Sequence, residues 1–242
     1  MDYILASDLH MDTGHAGVPL RTMDWGNAIT PILIAGDLGN GLGNFGFIEK
    51  LRRKGHTVFL TDGNHEHYAN KAQKRSLMET ELAFQRLAGH PSVVQLRSGL
   101  YLIMCNGWYV VEDEEHWQNY MNDSRHGALS AEVVNAAARR HADFVAASLM
   151  RLPHDSKAIV MTHTVPCEQS LDPRFVGSAG NPYYWNPHME RVLIAGRDSI
   201  AAWHHGHTHF PMNIVHEGVK IITNPRGYPG EVQSWRPLAL TI

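Results

Sequence analysis

Cysteine is nearly missing from this sequence: there are two in 242 residues, Cys105 and Cys167. That argues against a disulfide-stapled secreted fold and leads to the expectation of two unpaired thiols in a reducing compartment. Cys105 ends the apolar run YLIMC, where a free thiol behaves as a small hydrophobe. Long apolar runs are missing as well. Nothing approaches the ~20 residues a spanning helix needs, so no membrane segment is expected. The first residues, MDYILASDLH, have no basic start followed by a long apolar stretch and do not read as a signal peptide. Nor is there an excess of positive charge. The formal net charge is -3 and the Lys and Arg residues are scattered, which offers no footprint for duplex nucleic acid. A small nucleotide substrate stays open, and a cytoplasmic enzyme is the expectation these absences leave.

What is present is an ordinary globular composition, 43% hydrophobic and 19% charged, long enough for one domain over 1–242. Histidine is the exception, with seventeen copies. Short apolar strands recur, and each breaks into a polar loop: YILA into SDLH, PILIA into GDLGN, HTVFL into TDGNHEH, KAIVM into THTVP, and SIAAW into HHGHTH. Helical stretches are expected near 44–54 and 72–88, and a long amphipathic one over 130–151 with Ser130 as its N-cap. Strands alternating with helices indicate an α/β layered domain. A late hairpin pairs 212–216 with 219–223 across HEG. Two stretches, 106–128 and 168–188, resist regular assignment and are expected to form substrate-facing walls.

Metal-capable side chains stand at the ends of five of these strands: Asp8 and His10, Asp37, Asn64 and His65, His163, then His207 and His209. An open α/β sheet brings such loops to one edge. In Asp8-x-His10 and His207-x-His209 the spacing of two aims both side chains the same way in extended backbone. Carboxylate, imidazole and one amide oxygen, without thiolate, favour Mn²⁺, Fe²⁺ or Zn²⁺ over a structural zinc. Seven such ligands are too many for one ion with an open position. They suit two ions sharing a carboxylate, about 3.5–4 Å apart, the clamp used in phosphoryl transfer.

The blocks SDLHMD, GDLGN, DGNHE, MTHTVP and HHGHTH, in this order, resemble the five signature blocks of the calcineurin-like metallophosphoesterases. TNPRGYPGE (223–231), the Trp108 region and MND (121–123) are similar to one bacterial and phage branch. The resemblance implies a four-layer β-sandwich flanked by helices, with a dinuclear metal site at strand-end loops. It gives Asp8, His10 and His209 to one ion, Asn64, His163 and His207 to the other, and Asp37 to both. His65 matches the family's catalytic histidine. The implied cofactors are two metal ions (Mn²⁺, Fe²⁺/Fe³⁺ or Zn²⁺), and the implied chemistry is in-line attack of metal-activated hydroxide on a small phosphoester.

Departures narrow the subclass. Protein phosphatases of that superfamily carry Asp-Arg shortly after the second block, and the arginine holds phosphate. Here Gly36-Asp37-Leu38-Gly39-Asn40-Gly41 has none, which disfavours that reading and leans toward a phosphodiesterase on a small or nucleotide-like substrate. A phosphomonoesterase is the alternative. A catalytically silent scaffold would be expected to have lost ligands, and none is lost; a nuclease acting on short oligonucleotides is the third option. Arg226 and Tyr228 are candidate substrate-binding residues, though Arg226 could instead brace a turn. Trp117, Tyr120, Tyr183, Tyr184 and Trp185 are read as wall packing in preference to nucleobase stacking, and EDEE (112–115) as a solvated face. Asp12, His15 and His67 are expected to support the ligands from behind. His204 and His205 match no ligand position.

Overall fold

A computed structural model describes residues 1–14, 19–127 and 129–242. Parallel strands β1 (Asp2–Ala6), β2 (Ile32–Ala35) and β3 (Val58–Thr61) are joined by a late strand, β10 (Leu238–Thr241), which pairs antiparallel with β1. The second sheet contains β4 (Val93–Arg97), β5 (Leu100–Met104), β6 (Lys157–Met161), β7 (Ile200–His205), β8 (Met212–His216) and β9 (Val219–Thr223). Its order is β4-β5-β6-β7-β9-β8, and the first sheet's is β10-β1-β2-β3.

Alternation along the strands explains the layering. Tyr3 and Leu5 of β1, Leu33 and Ala35 of β2, and Ile159 and Met161 of β6 meet in one core between the sheets. Their neighbours point outward. Ile4, Ile32 and Ile34 pack under helices α1 (Phe45–Arg53) and α3 (Leu77–Ala88). Ala158, Val160 and Trp203 pack under α6 (Ala131–Met150) and α7 (Pro187–Gly196). Strands buried on both faces read as continuous apolar runs, which is why PILIA and KAIVM show no polar alternation. The result is the expected four layers, helix on sheet on sheet on helix.

Local chemistry sets the element ends. The Ser76 hydroxyl accepts from the Glu79 amide at 3.2 Å, and the Glu79 carboxylate accepts from the Ser76 amide at 2.7 Å, a complete capping box. This moves the start of α3 to Leu77 from the expected 72; a separate short turn, α2 (Asn70–Gln73), precedes it. Ser130 caps α6 as expected. The hairpin turns on Glu217 and Gly218, both at positive φ, as a two-residue turn with the strands' own twist requires.

The stretch 106–128, of which Ala128 lies outside the described residues, is more regular than its composition suggested. It holds α4 (Glu114–Tyr120), whose N-cap Asp113 accepts from the His116 amide, and α5 (Asn122–His126). Trp108, Tyr109 and Trp117 are fully buried against the first turns of α6. Segment 168–188 is built from short 3-10 turns leading into α7. No helix among the described residues is long and apolar enough to cross a membrane.

Candidate metal centre

The loops leaving β1, β2, β3, β6 and β7 converge, and those after β1, β2 and β7 do so with strained backbone. Asp8, His10, Asp37, His207 and His209 all have positive φ, between 39° and 71°. Non-glycine residues adopt that region rarely, and at about 1–3 kcal/mol each. Strand-end loops that turn back on themselves deliver the side chains inward. Gly206 lets two of these loops touch, because a Cβ there would meet the Ala35 carbonyl at 2.9 Å.

Ligand-capable atoms of Asp8, His10, Asp37 and His209 lie within 4.8 Å of one another. The Nε2 atoms of His10 and His209 are only 3.0 Å apart, and His209 Nε2 is 3.4 Å from the Asp8 carboxylate. A second group adjoins it. The Asn64 side-chain oxygen sits 2.9 Å from His163 Nε2 and 3.1 Å from His207 Nδ1. One oxygen of Asp37 faces both groups, 3.3 Å from His163 Nε2 and 3.7 Å from His10 Nε2. These side chains are buried except His209, which is partly exposed.

The donor set fits divalent ions. Asp8 Oδ2 is buried with no hydrogen-bond partner among the described residues. The facing Nε2 atoms of His10 and His209 can share a proton, and a cation could take the place of that proton between them. Electrostatics agree. Burial opposes charge on His163, but Asp37 and Asp8 outweigh it and push it up to about 10. Burial likewise opposes charge on His209, and Asp8 with Glu231 lifts it to about 10. His10 and His207 are pushed down to about 4, chiefly by burial. Burial would raise the Asp8 and Asp37 carboxyls, yet the neighbouring histidines hold both below the usual range. The cluster thus holds protons where cations would sit.

His65 lies at the edge of this cluster, its Nε2 3.9 Å from Asp37. Its Nδ1 is 2.8 Å from the Asn40 side-chain oxygen, and the Asn40 amide donates to Asp12 at 3.0 Å. An oxygen acceptor assigns the Nδ1 hydrogen, so Nε2 faces the Tyr228 hydroxyl, 3.0 Å away. Arg226 is turned elsewhere: its guanidinium donates to the Leu9 carbonyl at 2.9 Å. His67 pairs with Asp62 at 2.9 Å, and Asp62 accepts from Asn106, whose carbonyl accepts the His163 amide. His15 lies outside the described residues.

Three carboxylates not singled out from the sequence hold the cluster from behind. Glu66 accepts from the amides of Asp37, Leu38 and Gly63, pinning two ligand loops together. Asp123 accepts the Asn64 amide nitrogen at 2.8 Å, which turns the Asn64 oxygen toward His163 and His207. Glu231 accepts from His209 Nδ1 at 2.6 Å. Each falls inside a quoted block (DGNHE, MND, TNPRGYPGE), but their partners are brought near only by folding. His204 belongs to the core, bonded to the Tyr3 hydroxyl and the Ile222 carbonyl. His205 is buried beside it, its Nδ1 on the Gly206 carbonyl. Trp117 and Tyr183 are buried, Tyr120 is exposed, and EDEE lies on the surface at the start of α4.

Two sheets between helices, with a carboxylate-imidazole-amide cluster on strand-end loops, define a metallophosphoesterase. The chain belongs to the calcineurin-like phosphoesterase family, whose sequence model matches residues 1–211, and it is a phosphoric ester hydrolase. It is 22% identical over 238 residues to the uncharacterized protein L509 of Acanthamoeba polyphaga mimivirus, covering 88% of this chain and 84% of that one. In fold it is similar to a phosphopantetheinyl hydrolase from Mycobacterium tuberculosis (TM-score 0.70, 19% identity, 98% of this chain and 95% of that one). A dimetal phosphatase from Danio rerio is also similar (TM-score 0.54, 12% identity, 92% and 86%).

Proposed function

We propose that the protein is a dinuclear-metal phosphodiesterase acting on a small or nucleotide-like substrate. Asp8, His10 and His209 would hold one ion, Asn64, His163 and His207 the other, and Asp37 both. The observation that carries this reading is the placement of one Asp37 oxygen between His10 and His163, where a bridging carboxylate belongs. When bound, the two ions supply Lewis acidity: they generate hydroxide from water near neutral pH and neutralise phosphoryl oxygens.

The chain's own residues do the rest. His65 presents Nε2 toward the cluster, its ring held by Asn40, and in protonated form it donates to the leaving oxygen. Tyr228, whose phenol burial keeps protonated, stands beside it as a hydrogen-bond donor to a phosphoryl oxygen. Arg226 braces the Leu9 loop and so keeps Tyr228 in place. With Arg226 directed at a carbonyl, no guanidinium from this loop clamps phosphate, and the dianion of a monoester most wants such a clamp. That favours the diester. Metal-loaded protein assayed with bis-p-nitrophenyl phosphate and p-nitrophenyl phosphate tests it. Faster turnover of the diester is expected, and much faster turnover of the monoester would overturn the preference.

A further inference from the structure

Two separate cavities flank the site, one beside His65 and one beside His207 and His209. One, about 360 Å³, is lined by His65, Tyr68, His126 and Tyr228. The other, about 340 Å³, is lined by His207, His209, Tyr184, Ser178, Asp172 and Arg174 among others, and shares no lining residue with the first. On the reading above, His65 meets the leaving oxygen, so the leaving arm of a diester lies on its side. The second cavity then faces the arm that stays on phosphorus.

Charge in this second cavity is already paired. Asp172 is buried and accepts from Arg174 Nε at 2.9 and 3.0 Å, from Nη2 at 2.6 Å and from the Arg174 amide at 2.9 Å. The same guanidinium packs against two rings, 5.4 Å from the Phe210 centroid and 5.5 Å from that of Phe175. Glu231 is taken up by His209 and by the Tyr228 amide. The cavity therefore offers no lone anion for an amine, whereas Arg174 spends only Nε and Nη2 on Asp172 and its side chain is 60% exposed. Its remaining offers are neutral: the Tyr184 ring, 4.8 Å from that of His207, the exposed Phe175 ring, and the Ser178 hydroxyl and Asn181 amide. Rings suit a planar group, and the hydroxyl and amide suit its polar edge.

We propose that this cavity is the subsite for the retained ester arm, and that it selects a ring-bearing arm over a small aliphatic one. The inference rests on the diesterase reading. Its test uses two diesters with a common p-nitrophenol leaving group: methyl p-nitrophenyl phosphate and thymidine 5′-p-nitrophenyl phosphate. With Mn²⁺-loaded wild-type protein, the KM for the thymidine diester should be at least about tenfold below that for the methyl diester, the gain that one stacked ring provides. Ser178→Trp, at an exposed position on the cavity wall, should collapse the thymidine-to-methyl ratio. Equal KM values for the two diesters, or a ratio unmoved by Ser178→Trp, would each overturn the subsite. Turnover of p-nitrophenyl phosphate with no diester hydrolysed would overturn the diesterase reading itself, and the subsite with it.

Discussion

Glu231 and Asp37 sit within one cluster but should fail differently when replaced. Glu231 touches His209 alone among the proposed ligands, holding its Nδ1 and so aiming Nε2 at the Asp8 group. Partners of this kind typically contribute 10–100-fold in metal affinity. Glu231→Ala should therefore weaken one ion by roughly that factor and leave the other, whereas Asp37→Asn should weaken both together. Calorimetric titration of each variant with Mn²⁺ checks this; equal loss of both ions in Glu231→Ala would contradict the assignment. His65 contacts Asn40 and Tyr228 and stands at the cluster's edge. His65→Ala should keep both ions and lose about 10²–10⁴ in turnover, the usual contribution of a positioned proton donor. A variant that retains turnover would make His65 a structural residue. The proposed ligands were legible because their residue types recur at strand ends in a telling order. Glu66, Asp123 and Glu231 were not, since a carboxylate supporting a ligand from behind carries no spacing signal of its own.

Elements were readable where one pattern dominated. Ser130 before an apolar periodicity announced α6, and PILIA and KAIVM announced strands that the fold buries on both faces. The 106–128 stretch was misjudged because its apolar residues, Trp108, Tyr109 and Trp117, bury against α6 and not along one helix face. Its N-cap signal, Asp113 ahead of Glu114 and Glu115, was local and available, but it fell within a charge run read only as a solvated face. Strands β4 and β10 lie on sheet edges with alternate residues exposed, so their apolar signal is weak. The capping box of α3 makes a quantitative test at this scale. Ser76→Ala should destabilise the protein by about 1 kcal/mol, read as an earlier thermal transition. No shift would mean that packing of Leu77 alone holds the helix start.

At the scale of the whole molecule, the cluster ties stability to pH with opposite signs on the two sides of neutrality. His10, His204, His205 and His207 are pushed down to about 4, chiefly by burial. An unfolded chain, with histidines near 6.5, binds more protons than the folded one between those values, so stability falls as pH drops through that window. Glu66, pushed up to about 8 by burial, opposes this, but with one proton against four. Above neutrality the sign reverses for His163 and His209, both lifted to about 10. The metal-free folded state then binds the extra protons, and stability falls as pH rises from about 6.5 toward 10. Metal binding displaces those two protons and should remove their share of the alkaline loss, leaving that of Glu66 up to about pH 8. Thermal unfolding at pH 5, 6.5 and 9, with and without Mn²⁺, checks it; a metal-free profile flat across that range would contradict the electrostatic account.

The central claim is that two ions held by seven residues hydrolyse a phosphoester. Stepwise addition of Mn²⁺ to metal-free protein, with hydrolysis of bis-p-nitrophenyl phosphate followed at each step, tests it most directly. Turnover should rise until two equivalents are bound and then level. Full turnover at one equivalent, or two bound ions with neither that diester nor p-nitrophenyl phosphate hydrolysed, would contradict it.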